Sequence, residues 1–511
     1  MVPVGPRTLA GIKLPTVKLD TTLTELYQKA CPNKAGTRLG WISCGVTSAV
    51  DLTPDFPRNT KFIYQDQAFI KASSHALREG NANLRRSLAN KYLSHIPQRD
   101  AFVSGKAVVI LFNLGRTPEQ VEHGRREAED TISVLDPSQR PELIFCPGPS
   151  DIPVKEHGID RLEYKVVLDG LDKYPLTHDL ETHWMLNSKA ALARSGLPTP
   201  KSDLIETPHP PPSRRLMLQP TTRILDAVRA RPTPFVFKTQ QAFGGAGTWL
   251  VTTDAQKSQL LADLGGKEGE DRNPERGNEE EDEPGLLARL LPLLTPHNAH
   301  LSPTTVLLTD LITNPTSDHG LTFTVAPSGA AHFLGASSQM LTAADGSSSN
   351  NSSSSSSGSA WVGSTIAYAA QGPLRARFAP LVGRIARWVA ARGYAGPVGA
   401  DVLEDGEGRW FVVDLNVRTC GSVSLPLLRG HFTGRGLMWA SCLSVAVGGG
   451  RREFVERWRG ELERGRMVVL SWCEDREEGG SIADVVVGGE DEDRLRELMG
   501  RVRASTEEMT F

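Results

Sequence analysis

Gly399-Ala-Asp-Val-Leu403 and Trp410-Phe-Val-Val-Asp-Leu-Asn-Val-Arg418 are two short apolar runs joined by Glu404-Asp-Gly-Glu-Gly-Arg409. The joining segment is rich in turn formers, so the pair predicts a β-hairpin. Along the second strand Asp414, Asn416 and Arg418 alternate, which puts all three side chains on one face. That face carries a carboxylate, an amide oxygen and a guanidinium in a row. Hard oxygen ligands followed by an anion-binding arginine are the donor set of a magnesium–phosphate site. Asp401 and Asp414 both sit inside apolar runs. An unpaired buried carboxylate is costly, so a cation or an ion-pair partner is expected for them. With Asn416 counted, a metal accounts for the set better than a structural ion pair.

Upstream lies Phe235-Val-Phe-Lys-Thr-Gln-Gln-Ala-Phe-Gly-Gly-Ala-Gly-Thr-Trp249. Lys238 ends a β-like run and the glycines follow it. Glycines let backbone N–H groups approach phosphate oxygens, and the lysine adds a point charge. In a P-loop the lysine follows the glycines. In a protein kinase the Gly-rich loop comes first, and H-R-D and D-F-G follow; neither tripeptide occurs here. The plain alternative is a β-hairpin turn beside a surface lysine. Thr305-Val-Leu-Leu-Thr-Asp-Leu-Ile312 reads as a buried strand running into a linker at Asn314-Pro315.

The first third alternates strand candidates (Leu39–Cys44, Lys61–Tyr64, Ala107–Phe112, Glu142–Cys146, Tyr164–Leu168) with helical stretches such as Thr117–Leu135. This alternation predicts a parallel α/β sheet. No G-x-G-x-x-G opens a helix after these strands, so a dinucleotide site is not supported. A helix is expected from Leu180 to Ser195, stopped by Gly196 and Pro198, and a loop over Pro208–Arg215. Further strands are expected at Thr304–Thr309, Leu321–Val325 and Ala331–Gly335, and a helix at Arg375–Arg392. An apolar helix is expected near Gly436–Val447. The tail from Gly448 reads as a charged helix, strands Met467–Trp472 and Ala483–Val487, and a helix Glu490–Arg503. Gly265–Gly285 is acidic and Gly346–Ser359 is almost all serine. Both are expected as disordered insertions, because neither offers enough apolar surface to offset the entropy of ordering.

At 511 residues the chain is long enough for two to four domains, and 39% apolar residues suffice for ordinary cores. A net charge of −3 gives no sign of a nucleic-acid surface. Six scattered cysteines without a CxxC pair read as reduced thiols of a cytoplasmic protein. No apolar run reaches the ~20 residues of a membrane span, and no secretory signal is expected from the N-terminus.

In this order the pieces resemble the ATP-grasp superfamily of carboxylate-amine and carboxylate-thiol ligases, over roughly Leu180 to Leu428. In detail they are most similar to the fungal solid-state culture-specific ATP-grasp proteins. The resemblance implies an α/β fold: a Rossmann-like pre-ATP-grasp domain (1–175), then an ATP-grasp fold with antiparallel sheets. Its lid subdomain would span 176–312 and its C-terminal subdomain 313–447, with an α/β extension over 448–511. Asn187-Ser-Lys-Ala-Ala-Leu-Ala-Arg-Ser-Gly-Leu-Pro-Thr-Pro200 is similar to the family's helix whose lysine touches ATP phosphates, which makes Lys189 the matching position. Lys238 matches the phosphate-binding lysine of the central sheet. Gly244, Gly245, Gly247 and Thr248 match the flexible phosphate loop. Asp310, Leu311 and Ile312 fall where the family contacts adenine. Asp401, Asp414 and Asn416 match the magnesium ligands, and Arg418 the arginine at the transferred phosphate. This chain departs from the pattern at Asp414, where glutamate is usual, at Val417, where proline is usual, and at Thr309-Asp310.

The resemblance implies ATP and Mg2+ (or Mn2+ in its place) as cofactors. The partners would be a small-molecule carboxylate and an amine or amino acid, with no nucleic acid and no membrane, and with a homodimer left open. Lys238 and Arg418 would be the catalytic pair. The implied reaction forms an amide or peptide bond through an acyl phosphate, with ADP released. A phosphotransferase on the same fold and a non-catalytic ATP-binding protein are the alternatives. Cys420, though close to Arg418, reads as a packing thiol.

Overall fold

The apolar runs of the first third pair side by side as a parallel sheet. The computed structural model describes residues 12–31, 36–70, 82–115, 117–207, 214–242, 245–265, 285–341, 361–475 and 480–508. Within these, β1 (Leu39–Ile42), β2 (Val108–Phe112), β3 (Glu142–Cys146) and β4 (Arg161–Tyr164) pair in the order β3-β2-β1-β4, every pair parallel. β1 is buried throughout, as expected of strands covered on both faces. The helix Pro118–Ile132 connects β2 to β3 and starts with a capping box between Thr117 and Gln120. The helix Ala82–Ser104 precedes β2.

A second, antiparallel sheet consists of β5 (Ser202–Ile205), β6 (Phe235–Thr239), β7 (Thr248–Val251) and β8 (Val306–Asp310), in the order β5-β8-β6-β7. One of its faces is apolar. Phe235 and Phe237 are fully buried and pack with Trp249 and Leu308 against Ile224, Val228, Leu260 and Leu264 of two covering helices. Lys238 alternates with this apolar set and therefore leaves the core.

Among the described residues the third sheet has nine strands, all pairs antiparallel. Its main path is β13-β12-β9-β10-β11-β14-β16-β15, built from β9 (Ser317–Val325), β10 (Ala331–Leu341), β11 (Trp361–Ala367), β12 (Gly396–Glu404), β13 (Trp410–Asn416), β14 (Trp439–Gly448), β15 (Met467–Asp475) and β16 (Gly480–Gly489). The helix Gln371–Ala390 lays Phe378, Leu381, Ile385 and Val389 on Phe323, Val398, Ala400 and Val402 of one face. Strand alternation then turns Gly399, Asp401 and Leu403 to the other face, toward a cleft.

The expected fold class is borne out: mixed α/β, a parallel sheet followed by antiparallel sheets. Several local expectations are corrected. Lys61–Tyr64 is buried coil; its polar backbone groups are met by other segments, as where the Ser48 hydroxyl accepts from Tyr64 N at 3.0 Å. The run near Gly436–Val447 is strand β14, held between β11 and β16. A short apolar run buried on both faces has no periodicity to separate strand from helix, and here its neighbours decided. The stretch Leu180–Ser195 is two helices, Leu180–Leu186 and Lys189–Ala193, because Asn187 ends the first and Ser188 caps the second. Arg214–Ala230 is helical, so the loop expected over Pro208–Arg215 ends earlier; residues 208–213 lie outside the described residues. The charged helix expected after Gly448 is two short helices, Arg451–Arg457 and Arg459–Glu463. Both strands of the tail join the same sheet as the hairpin. The insertions expected over Gly265–Gly285 and Gly346–Ser359, apart from Gly265 and Gly285 themselves, lie outside the described residues, as does Gly244. No helix among the described residues is long and apolar enough to cross a membrane.

Candidate functional site

The hairpin of β12 and β13 sets Asp401 directly opposite Asp414. The register then slips: Val402 faces Val412, so Val413 is an extra residue, a β-bulge. The bulge has two effects. Val412 and Leu415 both reach the core although three positions separate them. The Val413 carbonyl, released from the ladder at that point, accepts a hydrogen bond from Lys238 Nζ at 2.7 Å. A lysine of the second sheet thus spans the cleft to the third.

Lys189 arrives by a different route. Ser188 caps the short helix Lys189–Ala193 through its hydroxyl, which accepts from Ala191 N. Gln240, just past β6, fastens the helix start: its backbone oxygen accepts from Lys189 N at 3.1 Å and its side-chain oxygen from Ala190 N at 3.1 Å. So held, the Lys189 ammonium donates to Asp414 Oδ1. One residue before the cap, Asn187 Oδ1 accepts from both Val417 N and Arg418 Nη1 at 2.9 Å. The sequence motif around Lys189 therefore positions Asp414 and Arg418 together.

The charges are strongly coupled. Burial pushes the Asp414 carboxyl up, but Lys189 and Lys238 overcome it and hold it below the ordinary carboxylate value. Burial, with Asp414 and Asp318 close by, raises the Asp401 carboxyl. Gln339 Nε2 donates to Asp401 Oδ1 at 2.7 Å, and the Ser364 hydroxyl donates to Gln339 Oε1 at 3.0 Å. Burial, with Lys189 beside it, lowers the Lys238 ammonium to about 8, against the pull of Asp414 and Asp401. Burial alone raises Asp318 to about 6. Two facing carboxylates, one of them held up by the other, together with the Asn416 amide, are a donor set that a hard divalent cation relieves. The one group of three His, Cys, Asp or Glu ligands that converges among the described residues, His123, Glu127 and Glu474, lies outside the cleft.

These groups line one cavity of about 600 Å3 between the three sheets. It includes Lys189, Lys238, Gly245, Thr248, Asp310, Leu311, Ile312, Asp401, Asp414, Asn416 and Arg418, all proposed from sequence. Gly245 (φ 84°) and Gly247 (φ 70°) close the β6–β7 hairpin. Thr239 N donates to Gly247 O at 2.8 Å, and a Cβ on Gly247 would stand 2.1 Å from Thr239 Oγ1, so only glycine fits. The turn is thus a hairpin turn, as the plain alternative had it, but its lysine is half-buried and lines the cleft rather than the outer surface. The Asp310 carboxylate is taken by Arg231 and is half-exposed, which leaves Leu311 and Ile312 as the apolar wall at the exit of β8. Cys420 also lines the cavity, with its Sγ 3.3 Å from Thr322 Oγ1.

Sequence reasoning passed over Asp318, Gln339 and the Val413 carbonyl. Asp318 and Gln339 have no motif signal, since cross-strand pairing alone brings them to Asp401. The bulge has no signal either. Asn187 stood inside the quoted motif and was legible only as a helix residue.

No protein-family model matches this sequence, and no curated protein matches it. Solved structures do align. N5-carboxyaminoimidazole synthetase from Staphylococcus aureus, complexed with ADP, is similar at 11% identity and a TM-score of 0.46, over 92% of this chain and 97% of that one. Phosphoribosylamine–glycine ligase from Thermotoga maritima is similar at 12% identity and a TM-score of 0.46, over 81% and 96%. The biotin carboxylase domain of Hydrogenobacter thermophilus 2-oxoglutarate carboxylase, solved with MgADP, is similar at 12% identity and a TM-score of 0.41, over 79% and 85%. Likenesses this low leave the functional reading to the site itself.

Proposed function

We propose that this protein is an ATP- and Mg2+-dependent ligase of the ATP-grasp type, joining a carboxylate to an amine with release of ADP. The observation that carries the reading is the convergence of Lys189 and Lys238 on the Asp401–Asp414 pair, with Asn416 and Arg418 on the same face. Two lysines, two acids, an amide and an arginine are what a nucleoside triphosphate and its metal require together. Asp401, Asp414 and Asn416 would hold Mg2+, which supplies neutralisation of phosphate charge when bound.

The chain's own residues do the rest. Lys189 and Lys238 bind nonbridging phosphate oxygens. Gly245, Gly247 and Thr248 offer backbone donors, and the hairpin they close shields the cleft from water that would hydrolyse an activated acid. Leu311 and Ile312 pack against the base. A carboxylate oxygen attacks the γ-phosphorus, and ADP leaves with the electron pair of the broken P–O bond. The amine nitrogen then attacks the acyl carbon, phosphate leaves with the C–O electron pair, and the nitrogen sheds a proton. Arg418, oriented by Asn187, stabilises the charge that gathers on the acyl phosphate and on the tetrahedral species that follows. The division of the chain at 175, 312 and 447 belongs to the same proposal.

The test is the full chain with MgATP, a panel of carboxylic acids including amino acids, and hydroxylamine. ADP and a hydroxamate are expected. AMP as product would overturn the acyl-phosphate route, and a stable phosphorylated product without hydroxamate would make the protein a kinase.

A further inference from the structure

The residues assigned so far occupy one end of the cavity. The other end lies against the parallel sheet, at the C-terminal ends of β1 and β4, where open α/β sheets place their ligands. Its walls are Val46, Leu93, Ile96 and Val166, with Arg99 and Lys165 as the charged groups.

Arg99 is 7% exposed, yet its guanidinium makes no hydrogen bond to a described residue. Its ion-pair partners stand beyond hydrogen-bond reach, Asp484 at 3.6 Å and Asp100 at 3.8 Å, and its Nε is buried without an acceptor. A buried guanidinium with donors left over is costly unless a ligand takes them. Asp484 is meanwhile held by the Ser471 hydroxyl at 2.9 Å and by the Ser444 hydroxyl, so it is not free to swing toward Arg99. Lys165 Nζ donates to Asp100 at 2.8 and 3.1 Å. Asp100 also accepts from the Thr419 hydroxyl at 2.8 Å, and Thr419 follows Arg418 directly. Lys165 is therefore linked through Asp100 and Thr419 to the segment that carries Arg418. At this end Arg99 and Lys165 face Asp100 and Asp484, while Arg418 stands beside Asp414 and Asp401. Asp66, also in the wall, has its carboxyl raised to about 7 by burial and adds little negative charge below that pH.

We infer, resting on the ligase reading above, that this end seats the acid to be activated, and that the acid is small and apolar-bodied. Its carboxylate takes the unspent donors of Arg99 and the Lys165–Arg418 side, and its hydrocarbon lies against Val46, Leu93 and Ile96. A cavity of about 600 Å3 shared with a nucleotide suits a ligand of amino-acid size. The unspent donors of Arg99 disfavour a cationic ligand without a carboxylate.

The experiment uses the full chain, MgATP and hydroxylamine, with 4-methylpentanoate and L-leucine as probes against L-leucinamide, acetate and O-phospho-L-serine. At least one of the two apolar acids is expected to raise ADP release and yield hydroxamate, with leucinamide inert. Acetate should need a KM at least about tenfold higher, for want of apolar contact. Arg99→Met should raise the KM of the active acid by about tenfold or more, as expected on losing a charge-assisted hydrogen bond. Arg99→Lys keeps a cation beside Asp484 and replaces Arg99→Met if that variant does not fold; a partial KM rise is expected for it. The inference is overturned if MgATP binds but neither apolar acid stimulates ADP release. It is equally overturned if phosphoserine alone stimulates, or if both Arg99 variants leave KM unchanged. Failure to bind MgATP at all would instead remove the ligase reading, and this inference with it.

Discussion

Lys189 and Asp414 lie 225 positions apart, yet the Lys189 ammonium donates directly to Asp414 Oδ1. One partner opens a short capped helix and the other sits on a bulged strand, so the contact locks two elements across the cleft. The same carboxylate, together with Asp401, keeps Lys238, lowered by burial, as high as about 8. Asp414 is thus a counter-ion to two lysines as well as a candidate metal ligand.

Asp414→Asn is expected to reduce Mg2+-dependent ADP release by at least about a hundredfold, since the proposed metal ligand and the lysines' counter-ion go together. The fold should survive. Breaking a fully buried pair costs about 3–5 kcal/mol, but the Asp414 side chain is 31% exposed and the cleft admits water. Turnover at the normal rate in this variant would remove Asp414 from the site.

Asn187→Ala deletes the oxygen that accepts from Val417 N and Arg418 Nη1. A buried N–H left unsatisfied costs about 1–3 kcal/mol, read as a lower urea midpoint. Because Arg418 also loses its orientation, kcat should fall about tenfold or more, with MgATP affinity changing by less than about threefold. If affinity falls and kcat does not, Asn187 supports the nucleotide end instead.

Gly247→Ala forces a Cβ to within 2.1 Å of Thr239 Oγ1 at a φ of 70°. Strain and clash together should cost about 1–3 kcal/mol and loosen the β6–β7 turn. Weaker MgATP binding than in wild type is the expected companion effect, measured by calorimetry. Unaltered melting and affinity would mean the turn is free to rearrange.

His431 predicts acid sensitivity outside the site. Burial, with Arg435 beside it, holds its imidazole down to about 4 instead of the ordinary 6.5, while its Nε2 lies 2.9 Å from the Gly465 carbonyl. Between those values the unfolded chain binds a proton that the folded chain refuses. Stability is therefore full above pH 6.5 and declines as pH falls toward 4. From pH 7 to pH 5 this one group should remove on the order of 2 kcal/mol. His431→Gln should show a flatter urea midpoint over the same interval, and equal slopes for the two proteins would exclude the histidine.

The hairpin was legible because its signals are local: two apolar runs, a turn-forming link, and acids that burial penalises unless they are paired. Three of the parallel strands, β1 to β3, were legible from apolar runs alternating with helical stretches, whereas the strand expected at Tyr164–Leu168 lies at Arg161–Tyr164 and the apolar run after it is buried coil. Two of the errors share one cause. Lys61–Tyr64 and Gly436–Val447 are apolar without a period, and what they became was set by partners distant in sequence. β14 is a strand because β11 and β16 flank it, and no count of residues within it could say so.

The sequence by itself determined the chemical inventory, namely Lys189, Lys238, the glycine turn, Asp401, Asp414, Asn416 and Arg418, since residue type and strand spacing are properties of the chain alone. Only the tertiary structure decided how these groups share charge. Pairing Asp401 with Asp414, slipping the register at Val413 to offer its carbonyl to Lys238, and bringing Asp318, Gln339 and Asn187 alongside all depend on contacts between distant segments. The energies of buried charges depend on those neighbours and on exclusion from water, which local sequence does not encode.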